Sequence, residues 1–392
     1  MKEKVIYLDY HATTPVDPRV MEAMLPCFTA EFGNAASSDH SFGWEAHAKV
    51  DKGRAQIAAL IHADPKEIIF TSGATESNNL AIKGAVESYG EKGGHIITQA
   101  TEHKSVLDTF KYLKERGIQI TVLGVDKHGR INPEELRKAI TDKTILVSIM
   151  FANNEIGTIQ PIEEIGKITR ERKVLLHVDA AQAAGRIPID VEKLHIDLLS
   201  LSAHKIYGPK GIGVLYVRRK NPHVRIAPLM HGGGHEEGLR SGTLNVPCIV
   251  GFGRACEIAA AELGQEVRRS SMLRDRLLQG ITTGVGEVIV NGHPTEKLCN
   301  NLHVSFPGAD PESLLMTLNE RLAVSAGSAC SSGIAEPSHV TKAIGLKPEL
   351  MHTSVRFSVG RFTTLEDVEE AIHHVVAVVK RMRQFAPKSD RT

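Results

Sequence analysis

The sequence predicts an α/β fold: a mostly parallel sheet of seven strands flanked by helices, followed by a smaller α+β C-terminal domain. Three observations carry this. Between residues 65 and 217, seven short apolar runs alternate with longer amphipathic ones. Most of those runs are apolar on both faces, as strands are when helices cover both sides of a parallel sheet. After about residue 260 the pattern changes to long polar–apolar helices that flank alternating strands.

The seven strand-like runs are 68–70, 95–98, 118–123, 144–151, 174–178, 197–201 and 212–217. Helical patterns fill several gaps, at 79–89, 133–140 and 162–171. Asn132 is placed to cap one of them, with Pro133 at the first helical position. In the last third, helices are expected at 259–278 and 364–384. The strand 355–359 puts Arg356 and Ser358 on one face and its apolar residues on the other. The expected organisation is an N-terminal segment, 1–14, packing with the small domain, a large domain, 15–260, and a small C-terminal domain, 261–392.

Size and composition agree with a two-domain globular chain. At roughly 100–200 residues per domain, 392 residues suggest two. Hydrophobic residues make up 42% and charged residues 24%, which is ordinary for a packed protein. Basic and acidic residues nearly cancel, 47 against 46, so no broad positive field exists to hold nucleic acid or an anionic membrane. No run approaches the roughly 20 apolar residues of a membrane span. Residues 1–10 are charged and then strand-like, without the apolar stretch of a signal peptide. The five cysteines are odd in number and include no C-x-x-C pair. That favours a reducing compartment, and the expected location is the cytoplasm.

Ligands of open α/β sheets bind beyond the carboxyl ends of the strands. Successive strand ends here read Thr71-Ser72-Gly73-Ala74-Thr75-Glu76, Thr101-Glu102-His103, Asn153-Asn154-Glu155, Asp179 with Gln182, and Ser202-Ala203-His204-Lys205. Taken singly, the first is an ordinary helix-cap turn and His103 a structural histidine. Together they supply an anion site, an imidazole, an amide, a carboxylate and an amine. The glycine-containing turn presents backbone N–H groups and the Thr75 hydroxyl to a phosphate. It matches neither G-x-G-x-x-G nor G-x-x-x-x-G-K-[ST], so a monophosphate is favoured over a nucleotide. Asp179 closes an apolar strand and needs a cationic partner, which a protonated ring nitrogen would provide. A lysine in apolar surroundings loses basicity, which suits Schiff-base chemistry at Lys205. A phosphate turn, an aspartate and a lysine in this order are the parts that pyridoxal phosphate requires.

The same segments resemble the cysteine desulfurases of the NifS/IscS type, relatives of class V aminotransferases with PLP fold type I. Thr71 to Ser77, Thr101-Glu102-His103, Asn153 to Gly157 and Ser202 to Gly211 carry the resemblance, which extends from Tyr7-Leu8-Asp9-Tyr10 to Gly360-Arg361-Phe362. The resemblance implies pyridoxal 5'-phosphate as cofactor and L-cysteine as substrate. It implies that Lys205 holds the cofactor and moves the α-proton, that Asp179 pairs with the pyridine nitrogen, and that Gln182 meets the ring hydroxyl. By the same likeness His103 stacks on the ring as an acid–base. Ala74, Thr75, Ser202 and His204 hold the phosphate, joined by Thr243 from a second subunit of a homodimer. Asn34, Asn154 and Arg356 hold the substrate carboxylate, a task for which the planar fork of arginine is suited.

Cys330 lies in Ser325-Ala326-Gly327-Ser328-Ala329-Cys330-Ser331-Ser332-Gly333, where small polar neighbours favour exposure. A lone cysteine is ordinarily a buried small hydrophobe, and that reading is kept for the other four. Cys330 resembles the persulfide cysteine of the family, and the long segment between it and Arg356 resembles the IscS/NifS branch. An iron–sulfur scaffold or another sulfur-acceptor protein is the implied partner, with Cys330 a transient iron–sulfur ligand and no stable metal site. Selenocysteine lyase and sulfur donation for tRNA thiolation are the alternatives. In His231 to Gly238, Glu237 stands where the family often has arginine. The glycines there favour a loop over a metal site built from His231 and His235.

Overall fold

The computed structural model describes residues 5–90, 94–326 and 337–385. Twelve strands occur among them: β1 (Ile6–Tyr7), β2 (Ile68–Thr71), β3 (His95–Gln99), β4 (Gln119–Leu123), β5 (Thr144–Met150), β6 (Leu175–Asp179), β7 (Leu198–Ser202), β8 (Gly213–Val217), β9 (Ile289–Asn291), β10 (Asn301–Ser305), β11 (Leu322–Ala323) and β12 (Ser354–Ser358). The seven strands expected from the sequence form one sheet, in the order β2-β8-β7-β6-β5-β3-β4. Every residue of β2, β3 and β5–β8 is buried, whereas β4 at the edge is mostly half-buried or exposed. Helices on both faces therefore explain why the central strands read as unbroken apolar runs.

Only β8 runs against the rest, antiparallel to both β2 and β7. Its reversal has a consequence for the site. The six remaining strands end at one edge of the sheet, and β8 begins there. The register pairs Thr71 with Gly213 and Gly213 with Ser202. Gly213 is thus wedged beneath the turn that follows β2. A Cβ at Gly213 would stand 2.6 Å from Gly73 Cα and 2.6 Å from Leu201 O.

The second core is smaller. An antiparallel sheet, β12-β10-β9, lies beside the parallel pair β1-β11. Ile6 and Leu8 pack in one cluster with Leu302, Val304, Val355 and Phe357, so the N-terminal residues are built into this core. The helix Val246–Val285 joins the two cores. Ile249, Phe252 and Cys256 from its first part pack in the main cluster, while Leu273, Leu277 and Ile281 pack in the second. The sequence predicted this helix only from residue 259. It begins earlier because Asn245 caps the Cys248 N–H and a proline occupies the first turn. Gly251 and Gly253, which weaken a helix in isolation, leave room for close neighbours: a Cβ at Gly251 would reach Met24 Sδ at 2.4 Å, and one at Gly253 would reach Gly53 Cα at 2.7 Å.

Since both obstacles at Gly213 are backbone, Gly213→Ala should displace the turn at Gly73. Thermal or denaturant unfolding should show a loss of about 1–3 kcal/mol, the usual cost of overpacking.

Candidate active site

A cleft of about 680 Å³ opens at the edge where the parallel strands end. Ala74, Thr75, His103, Asn154, Asp179, Gln182, Ser202, His204, Lys205 and Arg356 all line it. The convergence follows from the shared direction of the strands: β2, β6 and β7 end in Thr71, Asp179 and Ser202, and the polar residues that follow β3 and β5, His103 and Asn154, emerge at the same edge.

Lys205 follows β7 in a short 3-10 turn, Ala203–Lys205. Its Nζ donates to His11 O at 2.5 Å and to Ala12 O at 2.9 Å. Burial pushes its pKa down to about 7, and the nearby positive charges of Arg356 and Arg186 act in the same direction. Asp179 and Asp9 oppose the shift without reversing it. The amine is therefore available as a free base near neutral pH. In the apoprotein, labelling of Lys205 by an amine-selective reagent, followed by peptide mass spectrometry, should be half-maximal near pH 7. Arg356→Gln should move that midpoint upward.

Asp179 ends β6 and is buried. Its Oδ2 accepts from Asn78 Nδ2 at 2.8 Å and its Oδ1 from the Ala181 N–H at 3.0 Å. Asn78 also donates to Ser105 Oγ at 2.9 Å, and Ser105 Oγ lies 2.8 Å from His103 Nδ1. Asn78 and Ser105, which tie the aspartate to the imidazole, carry no signal in the sequence pattern. The Ser105 N–H donates to His103 Nδ1 at 3.1 Å, so that nitrogen is an acceptor. A neutral His103 then carries its proton on Nε2. Desolvation by the cleft walls holds the imidazole below its usual range.

The helix Ala74–Tyr89 starts at Gly73, whose φ is 156° and which provides no side-chain cap. Without a cap, the first-turn N–H groups remain available to an anion in the cleft. Uncapped helix terminus, buried carboxylate and low-pKa amine share one cavity, and these residues fit pyridoxal 5'-phosphate.

Two further residues were not foreseen as site residues. His11 is buried and lines the cleft beside Gln182. Gln182 Nε2 donates to His11 O at 3.0 Å, which turns Oε1 toward His11 Nδ1 at 2.7 Å. Nδ1 must then carry the proton, leaving Nε2, which is buried and has no hydrogen-bond partner, as a bare acceptor. Burial, reinforced by Arg186 and Arg356, holds His11 well below the usual imidazole range, in keeping with this neutral form. Asp9 is the other: its Oδ1 accepts from Arg356 Nη2 at 2.6 Å, while Arg356 Nη1 donates to Asn154 O at 2.8 Å. The Arg356 fork is oriented by these two contacts, and its buried Nε has no partner.

Asn34 and Thr243 are exposed and do not line the cleft of this chain. Asn34 Oδ1 accepts from the Ala36 N–H at 3.0 Å. Glu237 pairs with Arg219 at 2.8 Å, so the charge that departs from the family pattern has a partner. His235 Nδ1 accepts the Gly242 N–H, and among the described residues no group of three or more potential ligands could hold a metal ion. Cys330 lies outside the described residues. Residues on either side of its segment touch the cleft walls. Ser325 and Arg356 exchange backbone hydrogen bonds of 2.7 and 3.4 Å, Ser338 Oγ donates to Glu155 Oε2 at 2.5 Å, and His339 Nε2 bonds Glu102 O at 2.9 Å.

Glu102, fully buried beneath the cleft, accepts from the Met150 N–H at 2.5 Å and from Gln99 Nε2 at 2.9 Å through Oε1. Its Oε2 has no partner. Burial raises its pKa from 4.5 to about 8, with the charge of Asp179 adding to the rise. A carboxyl whose folded pKa is raised binds its extra proton in the folded state, so this contribution to stability is present at low pH and declines as pH rises from about 4.5 to about 8. Glu102→Gln should remove that decline, measured as denaturant midpoints at pH 5 and pH 9.

The architecture and the cleft define a fold type I enzyme that uses pyridoxal 5'-phosphate. The family Aminotransferase class-V matches residues 6–371, and the chain belongs to it. Cysteine desulfurase IscS of Neisseria meningitidis serogroup C / serotype 2a is 56% identical over 382 residues, 97% of this chain and 94% of that protein. A solved NifS-like protein superposes with a TM-score of 0.89 at 39% identity, covering 96% of this chain and all (100%) of that one. SspA, solved in complex with cysteine, gives a TM-score of 0.81 at 38% identity over 92% of this chain and 100% of that one.

Proposed function

We propose that this protein is a cysteine desulfurase that converts L-cysteine to L-alanine and carries the released sulfur as a persulfide on Cys330. The observation that carries the reading is Lys205, an amine of pKa about 7 held in one cleft with Asp179 and the uncapped helix terminus. Relatives named as cysteine desulfurases, and a structural relative solved with cysteine, support the substrate.

Bound pyridoxal 5'-phosphate supplies an electron sink for charge developing at the substrate α-carbon. Residues 72–75, with Ser202 and His204, would hold its phosphate. The Asp179 carboxylate would pair with the ring nitrogen and keep a proton there. Gln182, whose amide is held by His11, would meet the ring hydroxyl. Arg356, with two of its nitrogens already fixed, offers its remaining donors to the substrate carboxylate, aided by Asn154. Lys205, about half unprotonated near pH 7, takes the proton from Cα. His103 presents Nε2–H to the substrate. The Cys330 thiolate attacks the substrate sulfur: an S–S bond forms, the Cβ–S bond breaks, and its electron pair with a proton remains on carbon as alanine. Cysteine and one enzyme thiol thus give alanine and one enzyme persulfide, with no external oxidant.

An acceptor for iron–sulfur cluster assembly, a cytoplasmic location and a homodimer complete the proposal. Among the described residues no helix is long and apolar enough to cross a membrane. Exposed Leu25, Phe28, Phe32, Phe42 and Trp44 supply apolar surface suited to a second subunit, and exposed Thr243 is free to serve its site. Incubation with L-cysteine and a reductant should yield alanine and sulfide in equal amounts. Lys205→Ala should lower both by a factor of about 10³ or more. Cys330→Ala should abolish persulfide while the cofactor absorbance persists; persulfide surviving that change would exclude Cys330 as the carrier.

A further inference from the structure

Glu76 occupies the first turn of the helix Ala74–Tyr89 and lines the cleft beside Ser72, Gly73, Ala74 and Thr75. An acidic residue in a first helical turn ordinarily gains from the helix dipole. Here it would share that terminus with a phosphate, and two anions so close repel strongly where water screens them poorly. The Glu76 side chain is 19% exposed, so screening is incomplete.

Two contacts dispose of this charge. Glu76 Oε2 accepts the Ser72 N–H at 2.7 Å, turning the carboxylate back along the strand. Arg240 Nε donates to Glu76 Oε1 at 2.8 Å, with Nη2 3.4 Å from Oε2. These bonds hold the carboxyl below its usual range despite its burial, so the pair is ionic. Arg240 is delivered by a segment fastened to β2. Buried Glu236 accepts from Arg54 at 2.7 and 2.9 Å and from the Phe70 N–H at 2.7 Å, and Arg54 also donates to Ile68 O. The strand that bears the phosphate turn therefore also anchors the segment that brings the neutralising charge.

We propose that Arg240 is a positioning residue that cancels the Glu76 charge and so makes the 72–75 turn receptive to the phosphate of the cofactor. The inference rests on the reading that this turn holds the phosphate. Glu76 and Arg240 act as a matched pair: losing the cation alone exposes an anion at the phosphate site, whereas losing both charges leaves the turn neutral.

Calorimetric titration of the apoprotein with pyridoxal 5'-phosphate and with pyridoxal tests this. Wild-type protein should prefer the phosphorylated ligand; equal affinity would overturn the phosphate reading and the inference with it. Arg240→Gln should raise the Kd for pyridoxal 5'-phosphate about tenfold and leave that for pyridoxal unchanged. Adding Glu76→Gln to Arg240→Gln should restore affinity to within about threefold of wild type, and Arg240→Lys should retain it. An unchanged Kd in Arg240→Gln, or a double variant as weak as the single one, would overturn the charge role while the phosphate reading stands. Should Arg240→Gln fail to fold, Glu76→Gln alone decides: it should bind pyridoxal 5'-phosphate at least as tightly as wild type, and weaker binding would overturn the inference.

Discussion

Lys205 gives up most of its hydration between the end of β7 and the backbone of residues 11 and 12, and two guanidinium groups, Arg356 and Arg186, oppose its protonation. Each of these partners comes from a different part of the chain. The carbonyls come from the N-terminal segment, Arg356 from the small sheet, and Arg186 from the turn after β6. Arg186 also donates to Lys205 O at 3.0 Å, which fixes the lysine backbone. A lysine in water would be charged and unreactive at neutral pH. Its chemistry at Lys205 thus depends on the two cores closing over it.

A network of charges behind the lysine holds that closure. Asp17 binds Arg19 at 2.9 Å and Arg361 at 2.7 Å, and Arg361 stacks over the Tyr207 ring at 4.3 Å. Glu262 binds both arginines, and Glu266 binds Arg361. The hydrogen bonds from Arg19 and Arg361 hold the Asp17 carboxyl well below the usual carboxylate range. The Thr14 hydroxyl donates to His204 O and accepts the Tyr207 N–H, so residues 14–17 grip both sides of the Lys205 turn. A buried charge left without its partner is costly, which gives such a network a role in specifying how the elements dock.

Acids in and around the cleft play different parts because their surroundings differ. Glu102 has one partnered oxygen and is pushed toward the neutral form. Asp179 receives a donor on each oxygen. Glu76 is matched by a guanidinium. Residue type alone does not distinguish these carboxyls; the donors that the fold aims at each one do.

Local pattern was sufficient for the seven strands and for the cleft-lining positions of the 72–75 turn, Asp179 and Lys205. An apolar run that stops at a polar residue marks a strand end, and parallel strands joined by helices bring such ends to one edge. The resemblance in sequence extended this to Asn154 and Arg356, which also line the cleft. Contacts between distant segments were illegible. Pairing of Asp9 with Arg356, of His11 with Gln182, of Asn78 with Asp179 and of Glu76 with Arg240 joins positions too far apart for any periodicity to register. The antiparallel direction of β8 and the early start of the helix at Val246 likewise depend on packing that glycine makes possible only once the neighbouring backbone is present. Residue order and local pattern dictate which chemical groups the protein owns and at which sheet edge they emerge. Tertiary structure alone decided which of them are dehydrated, which tautomer each histidine adopts and which charges cancel, because those properties are set by neighbours in space.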